Sequence, residues 1–404
     1  MKLVLGSLYQ LFGGYLVGDI MKNQITVWEM NGVMNSGGTE SLIMEILRHK
    51  PSDINIMMIV HSGNKDFSGV YDQEIIDLGI PVYTLPSVGS VGLFGYIKAF
   101  KKLIDEVGKP DIIHSHINGT GGFICYAAYL SGIDVRIVHC HADIKFAGSR
   151  LYRYKEELLL LIMKIFVSKY GTDFWACSKA AGNRLYRLFG NHKPFTIIPN
   201  IIDVKKYERT KEKIIREKKK LGISDNRIVI GMVGRIARIK NYTVVIEALK
   251  MIRDNGINAY LYCYGRINDA DYYQELSQLI QQLNLEKYVI FKGNSLEIEN
   301  NIAAFDVFAM PSYTEGLGIA ALEAQAAGLP TVLSTGVPDE TDVNIGLVFR
   351  ANPTDSAQWA EKIIQAMTIS TVPFKKIQDA FIEKGYDSDT TCKKIIEKYI
   401  KLCE

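Results

Sequence analysis

The chain of 404 residues lacks several patterns that define large protein classes. Its six cysteines form no CxxC pair and no regular spacing, which argues against a disulfide framework and is typical of free thiols in a reducing cytoplasm. No GxxxxGK[ST] segment is present, which argues against a P-loop. The net charge is only +3, which provides no overall field for nucleic acid.

A clean membrane-spanning run of about 20 apolar residues is also missing. Residues 3–18 are uncharged and largely apolar, but glycines interrupt them and no small-residue cleavage site follows. A second Met-Lys pair at Met21 stands just before the strand-like segment Ile25–Met30. We therefore interpret residues 1–24 as an extension, and favour an upstream start over a segment that touches a membrane.

From residue 25 onward, short apolar runs alternate with longer amphipathic segments, which indicates βαβ units. The runs are continuous rather than alternating, which predicts parallel strands buried on both faces. We assign as strands Ile25–Met30, Ile54–Val60, Asp111–Ser115, Val135–Cys140, Asp173–Cys177, Thr196–Ile198, Ile228–Val233, Ala259–Tyr264, Val289–Gly293, Asp306–Met310, Thr331–Ser334 and Gly346–Phe349. The sequence thus predicts an α/β protein with two doubly wound parallel sheets.

The alternation stops in the basic stretch between residues 203 and 225, where we place the domain boundary. This boundary separates a Rossmann-like domain over residues 25–202 from a second one over residues 203–387. The segment 388–404 begins with possible helix caps at Ser388 and Asp389. It also carries an apolar helical stripe, which must cover another surface, formed by Cys392, Ile395, Ile396, Tyr399 and Ile400.

Ligands of open parallel sheets bind at the carboxyl ends of strands, so polar residues and glycines that follow strands are candidate site residues. Gly37 and Gly38 follow the first strand and precede a helix, where an anion would be favoured; a plain glycine turn explains them equally well. Arg235 and Lys240 follow residue 233, and their cations suit a pyrophosphate without a metal ion. Arg238 fits a solvated loop charge.

The stretch 311–330 places two acids beside a glycine turn at the start of a predicted helix. Glu315 precedes this helix and Glu323 lies within it, so the two can accept hydrogen bonds from separate sets of hydroxyls. The turn, whose N–H groups can meet a phosphate, consists of Gly316, Leu317, Gly318 and Ile319. A ligand with polyol groups on both sides of a phosphate, such as a sugar nucleotide, fits this pattern.

Two other functions also fit parts of the sequence. The same turn matches the loose dinucleotide fingerprint GxGxxA, with Asp339 and Glu340 near the distance of a ribose-binding acid. An NAD-dependent Rossmann enzyme that uses Gly316 and Gly318 is therefore an alternative, although the motif follows the fourth strand of its half rather than the first. A non-catalytic sugar-binding protein is the other alternative.

Two pairs of histidines end neighbouring strands of the first half: His114 with His116, and His139 with His141. Residues two apart share a face, so each pair can ligate a metal ion. No cluster of carboxylates or cysteines completes such a set, and we assign no metal. We expect His114 and His139 to be core residues, whereas His116 and His141 lie nearer the cleft.

Several of these residues together resemble the pattern of retaining glycosyltransferases of the GT-B fold. The motifs occur in the order Gly37-Gly38-Thr-Glu, His141, Pro199-Asn200, Gly234-Arg235 with Lys240, and Glu315 with Glu323. The resemblance spans about residues 25–400 and is strongest to family 4, with its bacterial exopolysaccharide and capsule enzymes. It implies two Rossmann-like domains that face a central cleft, with the last helix crossing back to the first domain.

The resemblance also implies roles for these residues. Arg235 and Lys240 match the residues that hold the donor diphosphate, Glu315 the residue at the donor sugar, and Glu323 the residue that binds the ribose. His141 matches the histidine near the anomeric centre. Gly38 matches the glycine-rich loop that shapes the acceptor side and the phosphate site. The turn Tyr264-Gly-Arg-Ile-Asn268 departs from the frequent Gly-Asp-Gly-Pro, which leaves the base and sugar preference open.

These implications describe a retaining, metal-independent hexosyltransferase whose only cosubstrate is a nucleotide sugar, for which we expect a UDP-sugar. The expected acceptor is a glycan or a polyprenyl-linked sugar of cell-surface polysaccharide synthesis, with no nucleic-acid partner. The segment Arg150–Phe166 is cationic at one end and apolar after Glu157, which fits both an interfacial helix and a core helix. We expect a cytoplasmic enzyme, with peripheral contact to anionic membrane as one of these two alternatives.

Overall fold

The computed structural model describes residues 24–35, 37–62, 69–142, 144, 150–224, 227–295 and 297–404. Residues 1–23 of the predicted extension lie outside these ranges. The described residues form two parallel β-sheets, each flanked by helices. This arrangement confirms the predicted α/β class with two doubly wound sheets.

The first sheet is built from the N-terminal half of the chain. Its strands are β1 (Ile25–Asn31), β2 (Ile54–His61), β3 (Val82–Leu85), β4 (Ile112–Ser115), β5 (Val135–Cys140), β6 (Asp173–Ala176) and β9 (Thr196–Ile197). They lie in the order β3-β2-β1-β4-β5-β6-β9, with every pairing parallel. A separate antiparallel pair joins β7 (Arg187–Leu188) and β8 (Asn191–His192).

Helices cover both faces of this sheet, because its central strands are apolar on both sides. They are α1 (Gly38–Arg48), α2 (Asp72–Asp77), α3 (Val88–Val107), α4 (Gly121–Leu130), α5 (Arg150–Tyr170) and α6 (Lys179–Tyr186). The side chain of Ser87 caps α3 by accepting a hydrogen bond from the Ser90 amide. The helix is interrupted at Gly92, whose φ of 68° lies in the left-handed region.

The second sheet repeats this plan in the C-terminal half. Its strands are β10 (Ile228–Val233), β11 (Ala259–Tyr264), β12 (Val289–Gly293), β13 (Val307–Met310), β14 (Thr331–Ser334) and β15 (Val348–Ala351), in the order β12-β11-β10-β13-β14-β15. The helices of this half are α7 (Lys211–Lys220), α8 (Tyr242–Asp254), α9 (Ala270–Gln282), α10 (Ile298–Asn301), α11 (Ile319–Ala326), α12 (Ser356–Ala366) and α13 (Phe374–Lys384).

Most predicted strands are present, and the differences occur at the edges of the elements. The last strand is displaced, since Val348–Ala351 replaces the predicted 346–349. The edge strand β3 is missing from the prediction, because only Leu85 of its four residues is buried and the strand carries no long apolar run. The stretch 203–225, where the alternation stops, contains α7, whose charged sequence KEKIIREKKK has no apolar stripe to mark it.

The last helix, α14 (Ser388–Cys403), crosses back to the first domain as expected. Its side chains Cys392, Ile395 and Tyr399 are buried in one cluster with residues of α1 and β1. The helix cap is Asp387 rather than the predicted Ser388 or Asp389, because the Asp387 carboxylate accepts a hydrogen bond from the Thr390 amide at 2.9 Å.

The chain passes between the two halves twice, and the two crossings lie side by side. The Ile202 amide donates to the Tyr386 carbonyl at 2.9 Å, and the Ser388 amide donates to the Ile202 carbonyl at 3.0 Å. These backbone hydrogen bonds form a parallel bridge between residues 202 and 387. The exact domain boundaries stay predictions. Among the described residues, no helix combines the length and the apolar character needed to cross a membrane.

The packing of α14 is testable through Ile395, which is fully buried against the first domain. We expect Ile395→Ala to lower the free energy of unfolding by about 2–5 kcal/mol, because it leaves a cavity in a packed cluster. Urea titration followed by the fluorescence of the buried Trp28 and Trp175 measures the change. Lys394→Ala on the exposed face of the same helix is the control, and should change stability by less than about 0.5 kcal/mol.

Candidate active site

The turns after β10, β13 and β14 lie at one edge of the second sheet, because these strands are parallel neighbours. The Tyr313 amide donates to the Ile239 carbonyl at 2.9 Å, which ties the turn after β13 to the turn after β10. The Tyr242 hydroxyl donates to the Gly234 carbonyl at 2.7 Å and fixes the turn that carries Arg235. The basic residues and the acidic stretch predicted from the sequence are thus brought together.

An open cleft of about 320 Å³ lies beside these turns. Its lining residues come from both halves of the chain: Ala180 of α6 faces Thr314, Glu315, Gly316, Thr335, Gly336, Val337, Pro338 and Asp339. A polar cleft between two domains is a common place for a small-molecule site.

Lys240 and Glu315 form an ion pair at this edge of the sheet. The Lys240 Nζ donates to Glu315 Oε1 at 2.5 Å, and the Ser312 hydroxyl donates to the same oxygen at 2.6 Å. Their side chains are only 19% and 13% exposed, so this pair is more than a surface contact. A ligand that binds the Lys240 ammonium must therefore compete with the Glu315 carboxylate.

The two arginines of the same turn differ in their surroundings. Arg235 is exposed, and its guanidinium pairs with no acid in the part of the chain that the structure describes. The guanidinium of Arg238 donates to both oxygens of Glu275, at 2.7 and 2.6 Å, and lies over the ring of Tyr272. Arg235 is thus free to meet an anion, whereas Arg238 already has partners.

The predicted phosphate turn has the geometry of a helix start. Gly318 caps α11 with a φ of 74°, a left-handed conformation that favours glycine. The Thr341 hydroxyl donates to the Leu317 carbonyl, which holds the turn in place. Gly316 lines the cleft, and the first amides of a helix have no partner within it. These amides and the positive end of the helix suit an anion.

Glu323 lies in α11 and contacts a residue of the connecting segment. The Tyr207 hydroxyl, from the 3₁₀ turn Val204–Tyr207, donates to Glu323 Oε1 at 2.8 Å. Burial raises the pKa of Glu323 to about 7, although the hydrogen bond from Tyr207 acts in the opposite direction. The carboxyl is therefore protonated more easily near neutral pH than that of an exposed glutamate.

On the first domain, Gly38 begins α1 and faces the second domain. A Cβ added at Gly38 would lie 2.1 Å from the Cδ1 atom of Ile319 and 2.9 Å from the Asn200 amide nitrogen. The two domains therefore touch where α1 and α11 begin. Gly37 is the residue before α1 and is extended, with a φ of −162°, so its conformation does not require glycine.

The four histidines form a hydrogen-bonded network around Glu29, which is fully buried in β1. The His116 Nε2 lies 2.7 Å from Glu29 Oε2, and the Tyr399 hydroxyl of α14 donates to Glu29 Oε1 at 2.6 Å. The His114 Nδ1 lies 3.2 Å from Glu29 Oε2. His114 and His139 are core residues as predicted, but His116 is also buried, only 2% exposed, with the ring of His141 against it.

Burial and the neighbouring rings set the charge state of this network. Burial alone would raise the pKa of Glu29, but His114 and His116 outweigh it and hold the pKa well below its usual range. Burial lowers the pKa of His116 to about 4 and the pKa values of His139 and His141 well below their usual range. A carboxylate thus lies among rings that are mostly neutral at pH 7.

His141 is the member of the network nearest the domain contact. Its backbone amide donates to Asn118 Oδ1 at 2.8 Å, and its ring Nδ1 lies 3.4 Å from the side-chain oxygen of Asn200. Asn200 in turn lies beside Gly38, which contacts Ile319 of the second domain. His141 is therefore within reach of a ligand held between the domains.

Three of these rings also lie close enough for a shared metal ion. Nitrogens of His114, His116 and His139 lie within 4.8 Å of one another. Each of these rings already has hydrogen-bond partners at both nitrogens, from Glu29, Tyr399, His141 and the Ile198 carbonyl among others. Hydrogen bonds thus account for the cluster.

Sequence reasoning missed Glu29, Tyr207 and Tyr399 as members of the site. Glu29 did carry a signal, because it is the one acid in the apolar run ITVWEM, and a buried charge requires partners. Tyr399 was assigned only to the apolar stripe of α14, since periodicity reports burial but not a hydroxyl partner. Tyr207 stands in a 3₁₀ turn that gives no periodic signal.

Two family models match the chain, and together they define its class. The model for glycosyl transferases group 1 matches residues 213–388, and the model for glycosyltransferase family 4 matches residues 36–206. The two-domain fold and the cleft between the sheets are those of a glycosyltransferase of the GT-B type. The chain belongs to the family 4 type of these enzymes.

Similar proteins agree with this assignment. The Bacillus subtilis protein EpsF, whose name assigns it as a glycosyltransferase, is 28% identical over 369 residues, 91% of this chain and 94% of that protein. The Escherichia coli UDP-Gal:alpha-D-GlcNAc-diphosphoundecaprenol alpha-1,3-galactosyltransferase is 31% identical over 247 residues, 59% of this chain and 60% of that enzyme. The crystal structure of Anabaena HepE with UDP and glucose has a TM-score of 0.77 at 19% identity, covers 94% of this chain and 100% of that one, and shows the same fold.

The raised pKa of Glu323 predicts a pH-dependent cost to stability. An acid whose pKa rises from 4.5 to about 7 on folding stabilises the fold below pH 4.5, and this contribution is lost as the pH rises to about 7. We expect Glu323→Gln to equal the wild type near pH 4.5 and to exceed it above pH 7, by at most about 3 kcal/mol. Urea unfolding at both pH values measures this difference. The same comparison for the exposed Glu397→Gln should give no such difference.

Proposed function

We propose that the protein is a retaining, metal-independent hexosyltransferase that moves a sugar from a UDP-sugar to a hydroxyl of a glycan or lipid-linked acceptor. The single observation that carries this proposal is the Lys240–Glu315 pair beside the start of α11, at the edge of the second sheet where the turn that carries Arg235 also lies. Fixed cations and helix amides together bind a diphosphate.

The donor diphosphate takes the place of the Glu315 carboxylate at Lys240. In this arrangement Arg235 and Lys240 neutralise the phosphates, and the amides at Gly316 and Gly318 complete the site. Glu315 is then released to accept hydrogen bonds from the donor sugar, while Glu323 accepts them from the ribose. Hydroxyl groups that donate to Glu323 stabilise its ionised form relative to the protonated form, which burial favours in the free protein.

The reaction follows from the groups that surround the anomeric carbon. The departing diphosphate accepts the proton of the acceptor hydroxyl, and the new bond forms on the face that the diphosphate leaves. Arg235, Lys240 and the start of α11 stabilise the charge that develops on the leaving phosphate, so no metal ion is required. His141 contacts the sugar from the first domain. Proteins of related sequence or fold support the UDP donor, since HepE was solved with UDP and the Escherichia coli enzyme is named for UDP-Gal.

The proposal is tested by incubating the purified protein with UDP-hexoses and a polyprenyl-diphosphate sugar acceptor. We expect release of UDP together with transfer, unchanged by EDTA, and a product with the anomeric configuration of the donor as measured by NMR couplings. Arg235→Ala should lower turnover by roughly a few hundredfold, because loss of one contact to developing charge costs about 3–4 kcal/mol.

Arg238→Ala is the matched control, because this arginine lies in the same turn but is paired with Glu275. Its turnover should stay within about twofold of the wild type, since this guanidinium is exposed and already held by Glu275. Equal losses in the two variants, or loss of transfer in EDTA, would contradict the proposed site.

We further propose that the enzyme works in the cytoplasm at the inner face of the membrane, where a polyprenyl-linked acceptor is anchored. Helix α5 supports this, because Leu151, Tyr154, Leu158, Ile162 and Ile165 are all exposed and fall on one face at helical spacing. The start of the helix carries exposed cations, as an interfacial helix that meets anionic lipid does.

This membrane contact predicts binding to vesicles of anionic phospholipid. We expect the wild type to float with such vesicles at low salt, and Arg150→Gln with Arg153→Gln to weaken partition roughly 30-fold, at about 1 kcal/mol per charge. The matched control is Lys375→Gln with Lys376→Gln on the exposed face of α13. If flotation is insensitive to salt and the two double variants behave alike, the membrane contact is wrong.

A further inference from the structure

The hydrogen bonds around Glu29 determine the position of each proton on the path to His141. A carboxylate only accepts hydrogen bonds, and a neutral imidazole has one donor and one acceptor nitrogen. The His116 Nε2 lies 2.7 Å from Glu29 Oε2, so this nitrogen carries the proton and donates. The other nitrogen, His116 Nδ1, must then be an acceptor.

The same reasoning extends one ring further. The His141 Nε2 lies 2.9 Å from His116 Nδ1, so it carries the proton and donates to that nitrogen. The remaining nitrogen, His141 Nδ1, is then an acceptor. Among the described residues, the Asn200 side-chain oxygen lies 3.4 Å from it, so this tautomer requires the Asn200 amide to turn its nitrogen to this side. The acceptor lies on the side of the domain contact formed by Gly38 and Ile319, because Asn200 is adjacent to Gly38.

We propose that Glu29 and His116 are positioning residues that lock His141 in its Nε2–H tautomer, so that Nδ1 accepts a hydrogen bond from a sugar hydroxyl bound between the domains. This inference rests on the proposed function. It adds Glu29 and His116 to the residues that the reaction requires, although neither touches the substrate. A hydroxyl whose proton is accepted by Nδ1 is held in a fixed direction. An imidazole in the other tautomer presents a donor at the same place and repels that proton.

Tyr399 extends this chain of contacts to the crossing helix. Its hydroxyl donates to Glu29 Oε1 at 2.6 Å, so the carboxylate is held from both sides. Tyr399 is fully buried and its ring stacks at 5.9 Å from the ring of Trp175. The C-terminal helix thus supports the orientation of His141 through Glu29 and His116.

The tautomer is measured directly by long-range ¹H–¹⁵N NMR of protein labelled at the histidine rings, with His141 assigned by the loss of its signals in His141→Asn. We expect an unprotonated Nδ1 and a protonated Nε2 for His141 in the wild type. A protonated Nδ1 in the wild type overturns the proposal; the variant serves only to assign the signals, and the tautomer is measured in the unsubstituted protein.

Two substitutions of Glu29 separate positioning from a structural role. Glu29→Gln keeps the shape but supplies an amide that can donate to His116, so we expect a mixed His141 tautomer and a loss of kcat of about 10–100-fold, with less effect on KM. Glu29→Asp keeps the anionic acceptor but removes a methylene from the core, so it should retain the tautomer and more of the activity. A purely structural Glu29 predicts the opposite order, because the aspartate leaves a cavity.

His116→Phe should likewise release the His141 tautomer, while His192→Phe at an exposed histidine of the same domain is the control. If Glu29→Gln keeps both the wild-type tautomer and the wild-type kcat, the positioning role is overturned. If the wild type shows the expected tautomer but transfers no sugar from any UDP-hexose, the proposed function fails and the tautomer lock stands.

Discussion

A carboxylate buried at the centre of the first sheet governs much of this structure. An unpaired charge at Glu29 would cost far more than one hydrogen bond contributes, so the surrounding strands must supply partners. Those partners are His114 and His116 at the end of β4, and Tyr399 from the last helix of the chain. The return of α14 to the first domain therefore satisfies a buried charge as well as covering apolar surface.

The two domains contribute different chemistry to one cleft. The second domain presents cations and helix amides in the turns that follow β10 and β13. These turns lie at a common edge of the sheet because the two strands are parallel neighbours. The first domain presents the start of α1 and the ring of His141. The two domains can approach closely where these sets meet, because Gly38 has no side chain to hold it away from Ile319.

Much of the fold could be predicted from the sequence, since continuous apolar runs mark buried parallel strands such as Ile228–Val233 without ambiguity. The turns of the candidate site could be located as well, because glycines and charged residues follow the predicted strands Ile228–Val233 and Asp306–Met310. Elements that depend on distant partners could not: β3 is stabilised by its neighbour β2, and the Asp387 cap is selected by the backbone bridge to Ile202. The pairing of Lys240 with Glu315 joins residues far apart in sequence, which no local pattern reports.

The side-by-side crossings of the chain have a mechanical consequence. Both covalent connections between the domains pass through the bridge at Ile202 and Asp387, so a rotation about this one place leaves every strand of both sheets intact. Tyr207 follows the bridge by only a few residues and holds Glu323 through its hydroxyl. Because Tyr207 is packed in the core of the second domain together with residues of α11, this contact moves with that domain, and the joint can change the opening of the cleft without disturbing Glu323.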